Sequence, residues 1–176
     1  MKIRTVTFRW AWTSLAAIAV FAVLAALDMR LKAHTGYGSV DLQKVTTARD
    51  FARVTGAWIA RPDAALAGFD LGFDYLFMPL YGFAFYYGAL LARDAFAASG
   101  FLRRAVTLIA AVPLAGAILD AGENALETYM VVTAPTDSLA VLAHAFTQGK
   151  FICFYVGFAF WLLGIAGLFR RKKAAS

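Results

Sequence analysis

The sequence predicts an all-α fold: a polytopic membrane protein built as a bundle of four transmembrane helices, with a short amphipathic helix in its first outer loop. Three observations carry this expectation. The chain is 61% hydrophobic and only 16% charged, against about 45–50% apolar and about 25% charged residues in a soluble domain. Four apolar runs, near residues 10–28, 69–92, 104–127 and 148–169, are each long enough to cross a bilayer. Basic residues gather in short segments on one side of those runs. At 176 residues the chain suits a single transmembrane domain covering 1–176.

The first run, Trp10 to Leu27, follows Lys2, Arg4 and Arg9. It is longer than the usual apolar stretch of a signal peptide, about 7–15 residues, and reads as a retained span. Trp10 and Trp12 stand at its basic end, as interfacial aromatics do. The outer loop covers 29–68. Within it, His34-Thr35-Gly36-Tyr37-Gly38 reads as a loop broken by its glycines. Thr47-Ala48-Arg49-Asp50 has the spacing of a capping box, with Asp where Glu or Gln is usual. Phe51, Val54 and Trp58 then recur at i, i+3 and i+7, the pattern of a short amphipathic helix lying on the membrane or capping the bundle. Arg61-Pro62-Asp63 ends it. In the second span Asp70, Asp74, Met78 and Tyr81 share a face, and Pro79 deprives the Tyr75 carbonyl of its donor and predicts a kink. The third span has an uncharged core over Ala105 to Leu119, with Ala111 and Ala115 at the small-xxx-small spacing of close helix contacts. Ala134-Pro135-Thr136-Asp137 is a turn, and Thr136 or Asp137 is placed to cap the fourth span. That span runs clean to Phe169 and stops at Arg170-Arg171-Lys172-Lys173.

Charge sets the orientation. With the N-terminus inside, Lys2, Arg4, Arg9, Arg93, Arg103, Arg104 and Arg170 to Lys173 are cytoplasmic, ten of the 17 basic residues. Ten of the 11 acidic residues fall outside. The first outer loop carries six basic residues of its own, against the trend; the loop from Ala125 to Thr147 carries none. The balance is the positive-inside pattern of a multi-pass protein of the bacterial inner membrane, with both termini cytoplasmic. The net charge of +6 is explained by that bias, and no basic stretch has the context of a nucleic-acid reader. The lone Cys153 excludes an intrachain disulfide.

One stretch organises the rest: Leu119-Asp120-Ala121-Gly122-Glu123-Asn124-Ala125-Leu126-Glu127. At 100° per residue Asp120, Glu123, Asn124 and Glu127 fall on one helix face. Counted outward from the inner anchors at about 1.5 Å per residue, Asp120 stands about 24 Å up and Glu123 about 28 Å. Asp28 and Asp74 come to about 28 Å and Lys150 to about 30 Å, with His144 further out at roughly 39 Å. These groups therefore share a layer just under the outer interface of a core about 30 Å thick. Two readings compete. In one, the helices end there and the charges reach into headgroups. In the other, they line a shared polar cavity, with Lys150 neutralising Asp120 or Asp74; ionisable groups at membrane depth are functional candidates by default.

Paired carboxylates such as Asp74 and Asp120 can divide acid and base roles when their environments separate them. Asp74, Asp120, Glu123, Asn124 and His144 are also donors a hard or borderline cation accepts, but no HExxH or ExxH spacing supports a metal site, and none is assigned. His34 and His144 both fall outside, which argues against bis-His haem, and no cofactor is assigned. Ser14 and Ser99 have no positioned base. Aromatics crowd the second and fourth spans, from Phe73 to Tyr87 and from Phe151 to Trp161; packing and lipid contact explain them more simply than a flat ligand does.

The order of Thr35-Gly36, Asp41-Leu42, Trp58, the Asp70/Asp74 to Tyr81 stretch and Asp120-x-x-Glu123-Asn124 resembles a group of small bacterial four-span membrane proteins, over most of residues 30–127. The resemblance implies no activity, cofactor or partner. Two functions follow from the residues. The first is a ligand site for a small polar molecule or lipid headgroup under the outer leaflet, walled by Asp74, Asp120, Glu123, Asn124 and Lys150 with His144 and Tyr81 nearby; a lipid-modifying enzyme is its catalytic version. The second is an accessory or assembly subunit whose small-residue faces and Phe51/Trp58 helix bind a larger membrane partner or a second copy.

Overall fold

Long apolar runs with no internal stop signal form long helices, because in a bilayer every backbone N–H and C=O must find its partner within the segment. The computed structural model describes residues 3–60, 63–97 and 100–174. It has seven helices among these residues and no strand: α1 (Ile3–Thr35), α2 (Ser39–Leu42), α3 (Ala48–Ile59), α4 (Ala64–Phe96), α5 (Gly100–Ile109), α6 (Val112–Val132) and α7 (Asp137–Ala174). Four stretches are long and apolar enough to cross a membrane: Arg4–Thr35, Ala64–Phe96, Gly100–Val132 and Asp137–Arg170. The protein is thus an all-α, multi-pass membrane protein.

The helices outrun the apolar stretches that announce them. The hydropathy of a segment marks only its hydrocarbon part, whereas the hydrogen-bond ladder continues until something stops it. In α1 the stop is Gly36, at φ +86°, whose N–H donates to the Lys32 carbonyl at 2.9 Å. This left-handed C-cap suits glycine, which has no Cβ to clash. The third span differs from the unbroken helix expected over Ala105 to Leu119. It divides at Ala110–Ala111 into α5 and α6. Pro113 is the cause: it has no N–H to extend α5, but is tolerated in the first turn of a new helix. The Ala111 carbonyl starts that helix by accepting from Leu114 and Ala115 at 3.1 and 3.2 Å. Pro79, by contrast, lies inside a continuous α4.

The chain forms two compact units, Met1–Ile18 with Pro79–Ile118 and Lys150–Ser176, and Ala19–Met78 with Leu119–Gly149. In the first, the core gathers Val6, Ala89, Leu90, Leu91 and Ala110. Glycines set its closest helix contacts. A Cβ at Gly164 would lie 2.6 Å from the Gly88 carbonyl oxygen, and one at Gly116 would lie 2.7 Å from Cys153 Cβ. Ala111 and Ala115, expected to make such contacts, are exposed instead. Tyr81, Phe85, Phe154, Phe158 and Trp161 pack ring against ring, mostly edge-on, with Phe158 and Trp161 stacked; Tyr81 and Phe85 are buried, whereas Phe158 is exposed. Trp10 turns inward onto Trp161, with ring centroids 6.1 Å apart, while Trp12 stays exposed. The Trp161 indole donates to Ser14 Oγ at 2.9 Å.

In the second unit α3 is amphipathic as its spacing predicts. Phe51, Val54 and Trp58 are buried in a core with Leu31, Leu42, Met130 and Ala143. Thr47 caps α3 by accepting from Asp50 N–H at 3.1 Å; its hydroxyl donates back to the Asp50 carboxylate at 2.9 Å, so only half of a capping box forms. The Ala48 N–H is satisfied from afar by Asp137 Oδ1 at 2.7 Å. Thr136, not Asp137, serves α7, accepting from Leu139 N–H at 3.3 Å.

Candidate functional site

The site is built on α6. Its stretch 120–127 is helical through Gly122, and there Phe146 of α7 packs where a side chain would stand; a Cβ would come to 2.5 Å from the Phe146 ring. The four polar residues of this stretch are all turned inward, as their spacing predicts. Glu123 is 0% exposed, Asn124 1%, Glu127 2% and Asp120 5%. A helix can bury such a face only against polar groups of its neighbours.

Helix α4 supplies them. Asn124 Nδ2 donates to Asp74 Oδ2 at 2.9 Å and to the Leu71 carbonyl at 3.4 Å. Tyr75 donates its hydroxyl to the Ala121 carbonyl at 3.3 Å. Asp74, Asp120 and Glu127 all lie within electrostatic reach of that phenol. One turn before Asp74, Asp70 is buried as well, with the Oδ1 atom lacking a hydrogen-bond partner. Asp70 lies close to Asp28 and Ser39. Asp28 in turn holds the loop after α1, accepting from Ser39 Oγ at 2.9 Å and Val40 N–H at 3.1 Å. Gly38 lies so close to the Asp28 carboxylate that a side chain there would collide with it.

Helix α7 shows its inward face at this level through Ala140, Ala143 and Thr147, all buried. His144 lies off that face. Its Nδ1 is 3.0 Å from the Gln43 carbonyl and its Nε2 is 3.3 Å from Gln148 Nε2, so the imidazole ties α7 to the loop rather than turning to the carboxylates. Lys150 continues the buried series at i+3 from Thr147 and is itself 6% exposed; helical counting alone could not choose between the Lys150 side and the His144/Gln148 side. Lys150 and Tyr81 belong to the first unit, whereas Asp74, Asp120, Glu123 and Asn124 belong to the second. Within that second unit the structure brings the last four together. Two more buried carboxylates extend the face, Asp70 and Glu127, and both were signalled by i, i+4 spacing from Asp74 and Glu123. The Asp28–Ser39 link had no signal, because its partners lie on either side of a turn.

The sequence matches no protein-family model, and no curated protein or solved structure is significantly similar to it. The residues themselves define the site's chemistry. Among those described, no three His, Cys, Asp or Glu side chains converge as a metal centre requires. Ser14 accepts its hydrogen bond from Trp161; Ser99 lies outside the described residues. The site offers carboxylates, one carboxamide and one phenol, a set suited to holding an ammonium or hydroxyl-rich group and to moving protons.

Proposed function

We propose that this chain is a multi-pass protein of the bacterial inner membrane that holds a small polar ligand or lipid headgroup on the carboxylate face of α6, near the outer leaflet. The observation that carries the reading is the burial of Asp120, Glu123, Asn124 and Glu127 on one helix face. A charged side chain costs about 2.5–3.5 kcal/mol at the centre of a span on insertion scales, and such residues mark functional sites by default. Asp74 and Asn124 hold the face to α4. Ten of the 11 acidic residues belong to the second unit, against six of the 17 basic ones. That balance favours a ligand carrying a positive group. It also supports cytoplasmic termini, since 11 basic residues and a single acidic one belong to the first unit, which holds both chain ends.

The test is thermal unfolding of the purified full chain in a neutral detergent, with ethanolamine, a short-chain alkylamine and their uncharged alcohol analogues as probes. The amines are expected to raise the melting temperature of the wild type, and the gain is expected to vanish in Asp120→Asn and Glu123→Gln. Equal effects of amine and alcohol, or an undiminished gain in both variants, would reject the site. A second reading, an accessory subunit, is favoured by one observation: Ala111 and Ala115 leave a small-residue face exposed at the start of α6. It takes precedence if the amines fail and a cysteine at position 115 crosslinks to a partner or a second copy in the membrane.

A further inference from the structure

We propose that a cavity of about 320 Å³ in the loop after α1 is a second binding site, specific for a phosphate group carried by a lipid headgroup or a small soluble ester. It stands on residues separate from the carboxylate face of α6 and does not depend on that reading. Three cations from three segments line it: Lys32 at the end of α1, Lys44 after α2 and Arg53 on α3. Two carboxylates hold these cations around the cavity. Asp41 bonds Lys32 at 2.9 Å and Lys44 at 3.2 Å, and Asp50 bonds Arg53 at 2.9 Å. The Arg53 guanidinium also lies over the Tyr37 ring, 6.0 Å from its centroid.

The lining therefore carries a net positive charge with its cations already oriented. A lysine has three donors and an arginine five, so a single carboxylate contact leaves donors to spend on a ligand. Cations arriving from separate directions suit a phosphate, whose anionic oxygens also point apart; a lone carboxylate is better served by one guanidinium fork. The volume leaves room for the ester substituent as well as the phosphate. Position agrees with chemistry. Lys32 lies in the last turn of a helix that spans Arg4–Thr35, so the cavity opens where the first span ends, the level at which phospholipid phosphates lie. Basic pockets at that level bind lipid headgroups.

The experiment uses the purified full chain in a neutral detergent. Its probes are glycerol phosphate, dihexanoyl phosphatidylglycerol and phosphate-free dihexanoylglycerol, and it reads melting temperature and saturation of tryptophan fluorescence. At least one phosphorylated probe is expected to bind saturably where dihexanoylglycerol does not, and to weaken as ionic strength rises. Arg53→Gln and Lys44→Gln are each expected to reduce the affinity up to about fivefold, as loss of an exposed ionic contact does, and together to reduce it further. Both side chains are largely exposed, so these variants leave the core intact. Binding of glycerol phosphate assigns the site to soluble esters; binding of the lipid alone assigns it to headgroups. Asp120→Asn is expected to bind the phosphate probe as the wild type does, which separates failure here from failure at α6. No preference for phosphorylated probes, or wild-type affinity in both cation variants, overturns the proposal.

Discussion

Asn124 ties α6 to α4 by its side chain. Its carboxamide donates to Asp74 and to the Leu71 carbonyl, so Asn124→Ala withdraws a buried donor from two part-buried acceptors. The expected loss is about 1–3 kcal/mol, the cost of an unmade buried hydrogen bond, read as a lower melting temperature in detergent; wild-type stability would show that Asp74 does not rely on it. Asp41 offers a pH test outside the spans. The hydrogen bond from Lys32 holds its carboxyl below the usual 3.8, at about 2. A carboxyl lowered on folding stabilises the fold above its unfolded value, and that contribution fades as pH falls towards the folded one. The loop at 36–44 should therefore loosen between pH about 4 and about 2, seen as faster amide exchange after correction for intrinsic rates, and Asp41→Asn should abolish the step.

At the scale of elements, α3 tests how an amphipathic segment is anchored. Trp58 is buried and its indole donates to the Tyr37 carbonyl at 2.9 Å. Trp58→Ala should cost about 3–5 kcal/mol, as for a large core side chain, and expose the loop to protease while the spans stay inserted; Trp58→Phe should keep most of the packing. Helix contacts make a second test. Gly164→Ala pushes a Cβ against the Gly88 carbonyl and should destabilise by about 1–3 kcal/mol. Gly72→Ala meets nothing within 4 Å and should be neutral or stabilise by up to about 1 kcal/mol. Equal effects of the two would show that the close approach of α4 and α7 is not a constraint. The face of α3 was legible because period and burial agree. The acceptor that completes its cap, Asp137, was not, since 89 residues separate it from Ala48.

For the whole molecule, the proposed orientation makes a direct prediction. A reporter active only outside the cytoplasm should work when fused after Gly38 or Pro135 and be silent after Ser99 or Ser176. Activity after Ser99 would invert the topology and move the carboxylate face to the inner leaflet. The division of acidic and basic residues between the two units makes this a strong test, because the positive-inside bias acts on the short segments that flank spans.

What the sequence determined by itself was the class, the number of spans and the inward face of α6. These follow from periodicity and transfer energy, which act on consecutive residues and need no knowledge of neighbours. The structure alone decided the rest. Ala111 and Ala115 carry the right spacing for a helix contact, yet Gly116 makes it, because which side of a helix meets a neighbour depends on how all four spans settle. His144 was a plausible member of the polar layer, yet its ring is spent on the Gln43 carbonyl, a partner 101 residues away. Pairings such as these, like Asp28 with Ser39 across its turn, are chosen by tertiary packing, and a single chain's pattern carries no trace of them.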